Sequence, residues 1–406
     1  MMLSIVKDYL KLWICSYLFL LVFPFPLDMI IPTEAIAHRF DPLSKLVGQL
    51  FFGLENVLRP EMTGSGDTQM DWLNIVSIAL LSTLISIILV FIGYIRRNID
   101  SILNFIRVYL RFYLGLFLIF YGIAKLYVNG QFGQIELYHL DSTFGNKSPM
   151  GLLWTFMAYS REYTLFIGVM ETLAGVLLLY KRSSLIGALM GFAIMLNVFL
   201  LNMFYDVPVK IFSFHLLLCA FIIISPAIKK IFLFLTGENA QPVALSYIKI
   251  GNKSVTIVFT VLKTILVVVL VGLDFFSFNE EMEQPADYLD GVYRIESIEY
   301  SNDSIPALKW EKIMFNSLYG SVTDYSGTRN QLELQIDTTK KIVNFNFRLD
   351  STLMSFNYEL YAGDSVKFTN IQEADTIRVF TKRLQKDDFL LMNRGFHWVS
   401  EYPINR

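Results

Sequence analysis

Seven apolar stretches of this chain are each long enough to cross a lipid bilayer. They lie near residues 12–31, 72–95, 103–128, 163–180, 184–204, 210–234 and 255–276. A helix needs about 20 predominantly apolar residues to span the hydrocarbon core. Charged residues make up only 17% of the chain, against about 25% in soluble domains. The sequence therefore predicts a membrane α-helical bundle of about seven transmembrane helices.

The first stretch has two interpretations. Lys7 and Lys11 precede it and Ala35-Ile36-Ala37 follows it, an arrangement that resembles a signal peptide with its cleavage site. The apolar run is long for a signal peptide, however, and it contains Pro24 and Pro26. We expect a retained helix, and cleavage stays open as the alternative.

The basic residues of the short loops predict how the chain crosses the membrane. If the spans alternate, one side of the membrane receives the three basic pairs of the short loops between them: Arg96-Arg97, Lys181-Arg182 and Lys229-Lys230. Positive loops stay on the cytoplasmic side. We therefore expect a membrane protein with a cytoplasmic N-terminus. The part of the chain after residue 276 then lies on the outer side of the membrane.

The chain changes character near residue 277, where apolar and polar residues begin to alternate. The clearest examples are 332–336, 343–347, 356–360 and 376–380, and turn-forming residues separate them. Alternation with a period of two is typical of strands that are buried on one face. The sequence therefore predicts an antiparallel β-barrel or meander.

Six polar side chains are predicted to lie in the outer half of the helical bundle. Glu171 is the deepest, roughly 12 Å below the outer boundary at about 1.5 Å of rise per residue. The others are Lys125, Asn197, Asn202, Asp206 and His215. A carboxyl group at membrane depth is costly, so it marks a function or a structural partner. The functional interpretation is a pocket that opens outward and binds a polar head group, such as the ring oxygens of a quinone.

A purely structural role for these residues is the alternative. Glu171 and Lys125 would then pair only to hold two helices together. Asparagine and histidine side chains often form hydrogen bonds between membrane helices, worth up to about 2 kcal/mol each. The sequence leaves both roles open.

Three short motifs resemble the DoxX family of small four-helix bacterial membrane proteins. They are Arg111-Phe-Tyr-Leu-Gly115, Tyr121-Gly-Ile-Ala-Lys125-Leu126, and Gly168-Val-Met-Glu171-Thr-Leu-Ala-Gly175 followed by Lys181-Arg182. The resemblance covers about 103–235 and implies that Arg111, Lys125 and Glu171 form a shared polar set. It also implies that the protein lies in a bacterial inner (plasma) membrane, with the part after residue 276 in the periplasm. Some members of that family resemble small subunits of a thiosulfate:quinone oxidoreductase, and others are linked to thiol-redox complexes or to methylamine utilisation.

This chain departs from that family in two respects. Cys15 and Cys219 lie far apart, outside the matched motifs, so a thiol mechanism has no support. The chain also adds helices and a β-domain. We therefore expect four parts. Residues 1–100 form a two-helix segment with a polar outer loop, and residues 101–235 form a DoxX-like four-helix core. Residues 236–278 form a last helix with a linker, and residues 279–406 form a periplasmic β-domain.

The leading functional expectation is a quinone- or lipid-binding membrane subunit that supports a redox or envelope process together with a membrane redox partner. The alternative is a non-enzymatic anchored protein whose β-domain recognises a ligand or partner. An open barrel interior lined by Phe345, Phe347, Phe356 and Tyr358 would favour lipid binding there, and a filled one would favour a partner surface. The four histidines show no metal-ligand spacing, so the sequence predicts no metal site. The net charge of −2 gives no reason to expect binding to nucleic acid. Whether the protein is an enzyme stays open.

Overall fold

The computed structural model describes two compact units. The chain segments Met1–Gly133 and Pro149–Glu280 form the helical unit, and Gln134–Ser148 and Glu281–Arg406 form the barrel unit. Described residues are 2–30, 38–55, 57–60, 64–127, 130–135, 137–237, 289–302, 307–316, 319–348, 352–361, 364–370 and 376–393, with Trp398 and isolated residues between 245 and 272. The barrel unit thus includes Gln134–Ser148, a segment that the sequence analysis had left in the four-helix core.

The helical unit is built from long apolar helices joined by short ones. In chain order the helices are α1 Met2–Val22, α2 Leu27–Ile30, α3 Asp41–Phe52, α4 Gln69–Val90, α5 Gly93–Arg97 and α6 Ile99–Leu126. After α7, Leu137–Asp141, which belongs to the barrel unit, follow α8 Pro149–Tyr159, α9 Arg161–Leu179, α10 Ser184–Phe204, α11 Lys210–Ile224 and α12 Ile228–Leu235. Helix α1 packs against α4 and α6, and α11 packs against α10 and α6.

Among the described residues, four helices are long and apolar enough to cross a membrane, namely α4, α6, α9 and α10, and the bent pair α11–α12 makes five if it is one span. The predicted count of about seven is therefore not confirmed. Helix α1 is 21 residues long, but it carries Lys7, Asp8 and Lys11. The predicted span at 255–276 lies largely outside the described residues.

The sixth predicted span is broken rather than continuous. Helices α11 and α12 meet at an angle of 71° across residues 225–227. Pro226 lies in this break, and proline removes one helical hydrogen bond and clashes with the preceding turn. The sequence analysis had treated 210–234 as a single span.

Glycines bring α6 and α9 unusually close together. A Cβ atom at Gly122 would lie 2.6 Å from the carbonyl oxygen of Gly168, and one at Gly168 would lie 2.7 Å from that of Gly122. Gly115 and Gly175 face each other in the same way, seven residues before Gly122 on α6 and seven residues after Gly168 on α9. Small residues at membrane helix interfaces let backbones approach closely. The glycines of the Glu171 motif therefore serve helix packing.

The barrel unit confirms the predicted antiparallel β-structure. Its eight strands form a closed barrel, in which each strand pairs with its neighbours in sequence and β8 pairs with β1. The strands are β1 Gly291–Tyr300, β2 Trp310–Asn316, β3 Tyr319–Asp324, β4 Arg329–Asp337, β5 Ile342–Phe347, β6 Leu353–Tyr361, β7 Ser365–Asn370 and β8 Ile377–Arg383.

Aromatic side chains fill the barrel interior. Phe345 and Phe356 are fully buried with ring centroids 5.1 Å apart, and Phe315 stacks on Phe368 at 5.6 Å. Tyr358 is also buried in this cluster, and Phe347 packs against it. A core packed in this way leaves the interior to side chains, as is usual for eight-stranded barrels.

Candidate functional site

Lys125 and Glu171 form an ion pair inside the helical unit. Nζ of Lys125 lies 2.7 Å from Oε2 of Glu171, and the two side chains are 5% and 3% exposed. Lys125 is the second-last residue of α6, and Glu171 lies midway along α9. The ammonium group also donates to the carbonyl oxygen of Tyr121 at 3.1 Å and lies 5.5 Å from the centre of the Tyr121 ring. The close approach of α6 and α9 places the two charges within contact distance.

A cavity of about 200 Å³ adjoins this ion pair. Its walls come from α6, α8, α9, α10 and α11 and from residues 131 and 132, and they are mainly apolar and aromatic, with Phe132, Trp154, Phe156 and Phe212 among them. The polar lining includes Lys125, Glu171, Asn197 and Asn202. Sites for drug-sized ligands are about 300–1,000 Å³. The cavity therefore has room for a ring or a head group, with the rest of a larger ligand outside.

Asn202 is buried beside the cavity without a hydrogen-bond partner for its side-chain nitrogen among the described residues. The residue is only 6% exposed. Gln131 also lines the cavity, and its Oε1 has no partner in the described part of the chain. A buried polar group left unsatisfied costs about 1–3 kcal/mol. A molecule bound in the cavity can therefore accept a hydrogen bond from Asn202 and donate one to Gln131.

Asn197 marks where the cavity reaches the surface of the helical unit. The residue lines the cavity and is also exposed on α10. Asn197 and Asn202 both belong to the C-terminal part of α10. Together with Lys125 and Glu171 they form a cluster at one end of the helix bundle, and this grouping matches the sequence-based interpretation.

His215 belongs to a separate network. Its Nδ1 lies 2.7 Å from the carbonyl oxygen of Ile211, and its Nε2 lies 2.6 Å from the hydroxyl oxygen of Tyr17. A carbonyl oxygen only accepts, so Nδ1 carries the proton and Nε2 accepts from the tyrosine. Tyr17 in turn stacks on Trp13, with centroids 5.2 Å apart. The histidine therefore connects α11 to α1 and does not line the cavity.

Two further residues of the predicted site lie elsewhere. Arg111 is 5% exposed, with its guanidinium 5.3 Å from the centre of the Phe112 ring. It is fourteen residues from Lys125 on the same helix, which is about 21 Å at the rise of an α-helix. Asp206 has an 80% exposed side chain and pairs with Lys210 at 2.8 Å. Of the seven candidate residues, four therefore surround one cavity, and Arg111, His215 and Asp206 do not.

Sequence reasoning missed the residues that complete the cavity. Gln131 and Phe132 come from the segment after α6, and Trp154 comes from α8, which lies between the predicted spans 103–128 and 163–180. The apolar run at 149–159 is the signal that could have revealed α8. Arg161 donates to the carbonyl oxygens of Lys125 and Leu126, at 2.9 and 2.5 Å. This arginine caps α6 beside the ion pair.

The described chain thus combines helices that are long and apolar enough to cross a membrane, a cavity of about 200 Å³ at one end of their bundle, and a closed β-barrel unit. Among the described residues, no group of three or more His, Cys, Asp or Glu could hold a metal ion. Cys15 and Cys219 are both buried as free thiols.

Comparison with known proteins places the chain in a family. It is 35% identical over 114 residues to the uncharacterized protein YwoB of Bacillus subtilis (strain 168), and the match covers 28% of this chain and 71% of that protein. The chain belongs to the family of this protein. No family model matches the chain, and no solved structure matches it.

Proposed function

We propose that the chain is an integral inner-membrane protein of the DoxX type whose helical cavity binds the ring of a quinone or the polar head of a similar lipid. It would serve as a membrane subunit in a redox or envelope process. Its N-terminus lies in the cytoplasm and its barrel in the periplasm, in keeping with the basic residues of the loops. The proposal rests on one observation, the cavity that combines a buried ion pair with the side-chain nitrogen of Asn202, which has no hydrogen-bond partner among the described residues.

The walls of the cavity support a ligand that is largely apolar. Trp154, Phe132 and Phe212 surround it, and a flat ring packs favourably against aromatic faces. At 200 Å³ the cavity encloses a head group and not a whole lipid. The exposed position of Asn197 gives a tail a route to the outside of the bundle.

The polar end of the cavity supports a ligand with oxygen atoms. The side-chain nitrogen of Asn202 donates to no acceptor in the described part of the chain. The ammonium of Lys125 has three hydrogens, of which the contacts to Glu171 and Tyr121 use two. Carbonyl or ester oxygens can accept from both groups. A ligand that satisfies Asn202 removes the cost of its buried, unpaired donor.

The test uses the position of Trp154 in the cavity wall. Protein in liposomes is titrated with decylubiquinone, a short-chain quinone, and tryptophan fluorescence is followed. Quenching should saturate in the wild type and should be lost in Trp154→Phe. Asn202→Leu should weaken binding roughly tenfold, the equivalent of one hydrogen bond of about 1.4 kcal/mol.

Leu196→Ala is the matched control, because Leu196 lies on the same helix with its side chain exposed and away from the cavity. It should leave the quinone affinity unchanged. Equal affinity in Asn202→Leu and the wild type would contradict the proposal, and so would full quenching in Trp154→Phe.

A second candidate function has its own support. The aromatic core leaves the barrel interior filled, which favours recognition by the outer surface of the barrel. In that case the helices anchor the barrel and the chain is a binding or scaffold protein.

A further inference from the structure

A groove of about 230 Å³ lies on the outer face of the barrel, beside α7. Side chains alternate along each strand, so Leu332 and Leu334 of β4 enter the core, while Gln331 and Glu333 face outward. Tyr138 of α7 packs on the outward side chains Val292 and Met314. The groove is lined by Tyr138 and by residues of β2, β3 and β4, most of which face outward, together with Arg348 just after β5.

Two arginines flank one glutamine in this groove. Leu332 pairs with Phe347, and the backbone nitrogen of Arg348 donates to the carbonyl oxygen of Gln331 at 3.3 Å. Arg348 therefore lies opposite Gln331, and Arg329 lies two residues from Gln331 on the same face. Such diagonal neighbours are about 7–8 Å apart in an antiparallel sheet. Both arginines line the groove, and their side chains are long enough for the two guanidinium groups to contact one anion between them.

Each guanidinium is oriented by a tyrosine ring and an acceptor. Arg329 lies 4.6 Å from the centre of the Tyr138 ring, and its Nε donates to Oγ of Ser321 at 2.9 Å. Arg348 lies 5.7 Å from the centre of the Tyr319 ring, and its Nε lies 3.3 Å from Oε1 of Glu333. A guanidinium has five N–H donors, so both groups keep further donors for a ligand.

The charge around Arg329 is positive. Lys312 and Arg329 share a single carboxylate, that of Asp141, whose side chain is 3% exposed. Burial lowers the pKa of the Lys147 amine, and the positive charge of Arg329 lowers it further. Arg348 and Glu333 balance each other at the other side of the groove. Among the described residues around the groove, the cations therefore outnumber the carboxylates.

We propose that this groove binds a small organic anion, with its carboxylate or phosphate group held between Arg329 and Arg348 over Gln331. Guanidinium groups bind both kinds of anion bidentately. Asn316, Ser321 and Gln331 line the groove and can bind hydroxyl groups of the same ligand. The volume is below that of sites for drug-sized molecules, so the ligand is small. The proposal does not depend on what the helical cavity binds.

The test is calorimetric titration of the full chain in detergent with glycerol 1-phosphate, glycerate and glycerol. We expect saturable binding of at least one of the two anions and none of neutral glycerol. Binding of the phosphate alone, or of glycerate alone, identifies which group the site takes. Arg348→Gln should weaken the binding at least tenfold, as expected for a hydrogen bond to a charged group.

Two further variants separate a specific site from general charge attraction. Glu333→Gln removes the carboxylate that competes for Arg348, so it should strengthen anion binding. Arg378→Gln removes an exposed cation of β8 that pairs with Glu299, and it should leave the affinity unchanged. All three substituted side chains are about half exposed, and unchanged thermal unfolding shows that each variant is folded. No saturable anion binding by the wild type would overturn the proposal, as would an equal loss in Arg378→Gln and Arg348→Gln.

Discussion

Removing one partner of the buried ion pair should destabilise the protein far more than removing both. In Lys125→Met the carboxylate of Glu171 stays in a site where it is 3% exposed, with no cation 2.7 Å away. Breaking a buried pair costs about 3–5 kcal/mol because it leaves an uncompensated charge. Replacing both charges with apolar side chains of similar volume is often neutral. We therefore expect Lys125→Met with Glu171→Leu to be more stable than Lys125→Met alone.

The assay is the free energy of unfolding in mixed micelles, measured for each variant and the wild type. Lys11→Met is the matched control, because Lys11 pairs with Asp100 at 2.6 Å with both side chains solvent-exposed, at 40% and 83%. Exposed pairs contribute about 0–1 kcal/mol, so this variant should lose little. If Lys125→Met lost no more stability than Lys11→Met, the argument from burial would be refuted.

The double variant also separates a structural from a functional role of the pair. If the charges only join α6 and α9, the folded double variant should bind decylubiquinone as the wild type does. The proposed function instead predicts that its affinity falls, because the ammonium of Lys125 no longer donates to the ligand. If a stable double variant bound decylubiquinone with unchanged affinity, Lys125 and Glu171 would not take part in ligand binding.

Three other perturbations have defined outcomes. Gly122→Ala should destabilise the helical unit by about 1–3 kcal/mol, measured by thermal unfolding, since the new Cβ lies 2.6 Å from the Gly168 carbonyl oxygen; an unchanged midpoint would contradict the packing argument. Tyr17→Phe removes the hydroxyl that donates to His215, so the free energy of unfolding should fall by about 1–3 kcal/mol, and no change would show that the bond contributes nothing. Burial raises the pKa of Asp41, but hydrogen bonds from Arg59 and Asn74 lower it more, so this pKa is lower in the folded protein. The ionised Asp41 therefore stabilises the fold above its unfolded pKa of about 3.9. That stabilisation is lost as pH falls through the folded pKa. Arg59→Gln should remove that part of the acid dependence, and an unchanged pH profile of unfolding would contradict it.

The barrel could be predicted from the sequence because alternation with period two is visible residue by residue. Leu332, Leu334 and Ile336 all face the same side of β4, and their spacing alone indicates it. The addition of Gln134–Ser148 to the barrel unit could not be predicted. That segment has no periodicity of its own. Tyr138 packs against the outer face of β2, and this contact forms only in the folded barrel.

The candidate site was predicted in part. Depth along the helices placed Lys125, Glu171 and Asn202 at one end of the bundle, and their shared cavity follows that placement. Depth says nothing about the direction in which a side chain points around its helix. This is why His215, at a similar depth, instead reaches Tyr17. The glycine contacts between α6 and α9 explain the Glu171 motif by packing, which no pattern in one helix alone reveals.

The most direct test of the central claim is mass spectrometry of the full chain released from its native membrane in mild detergent. The proposed function predicts one retained quinone or lipid for each wild-type and Leu196→Ala chain, and its loss from Asn202→Leu. A wild-type protein without any bound small molecule, or one whose molecule is retained equally by Asn202→Leu, would contradict the claim that the cavity beside Lys125 and Glu171 is a binding site.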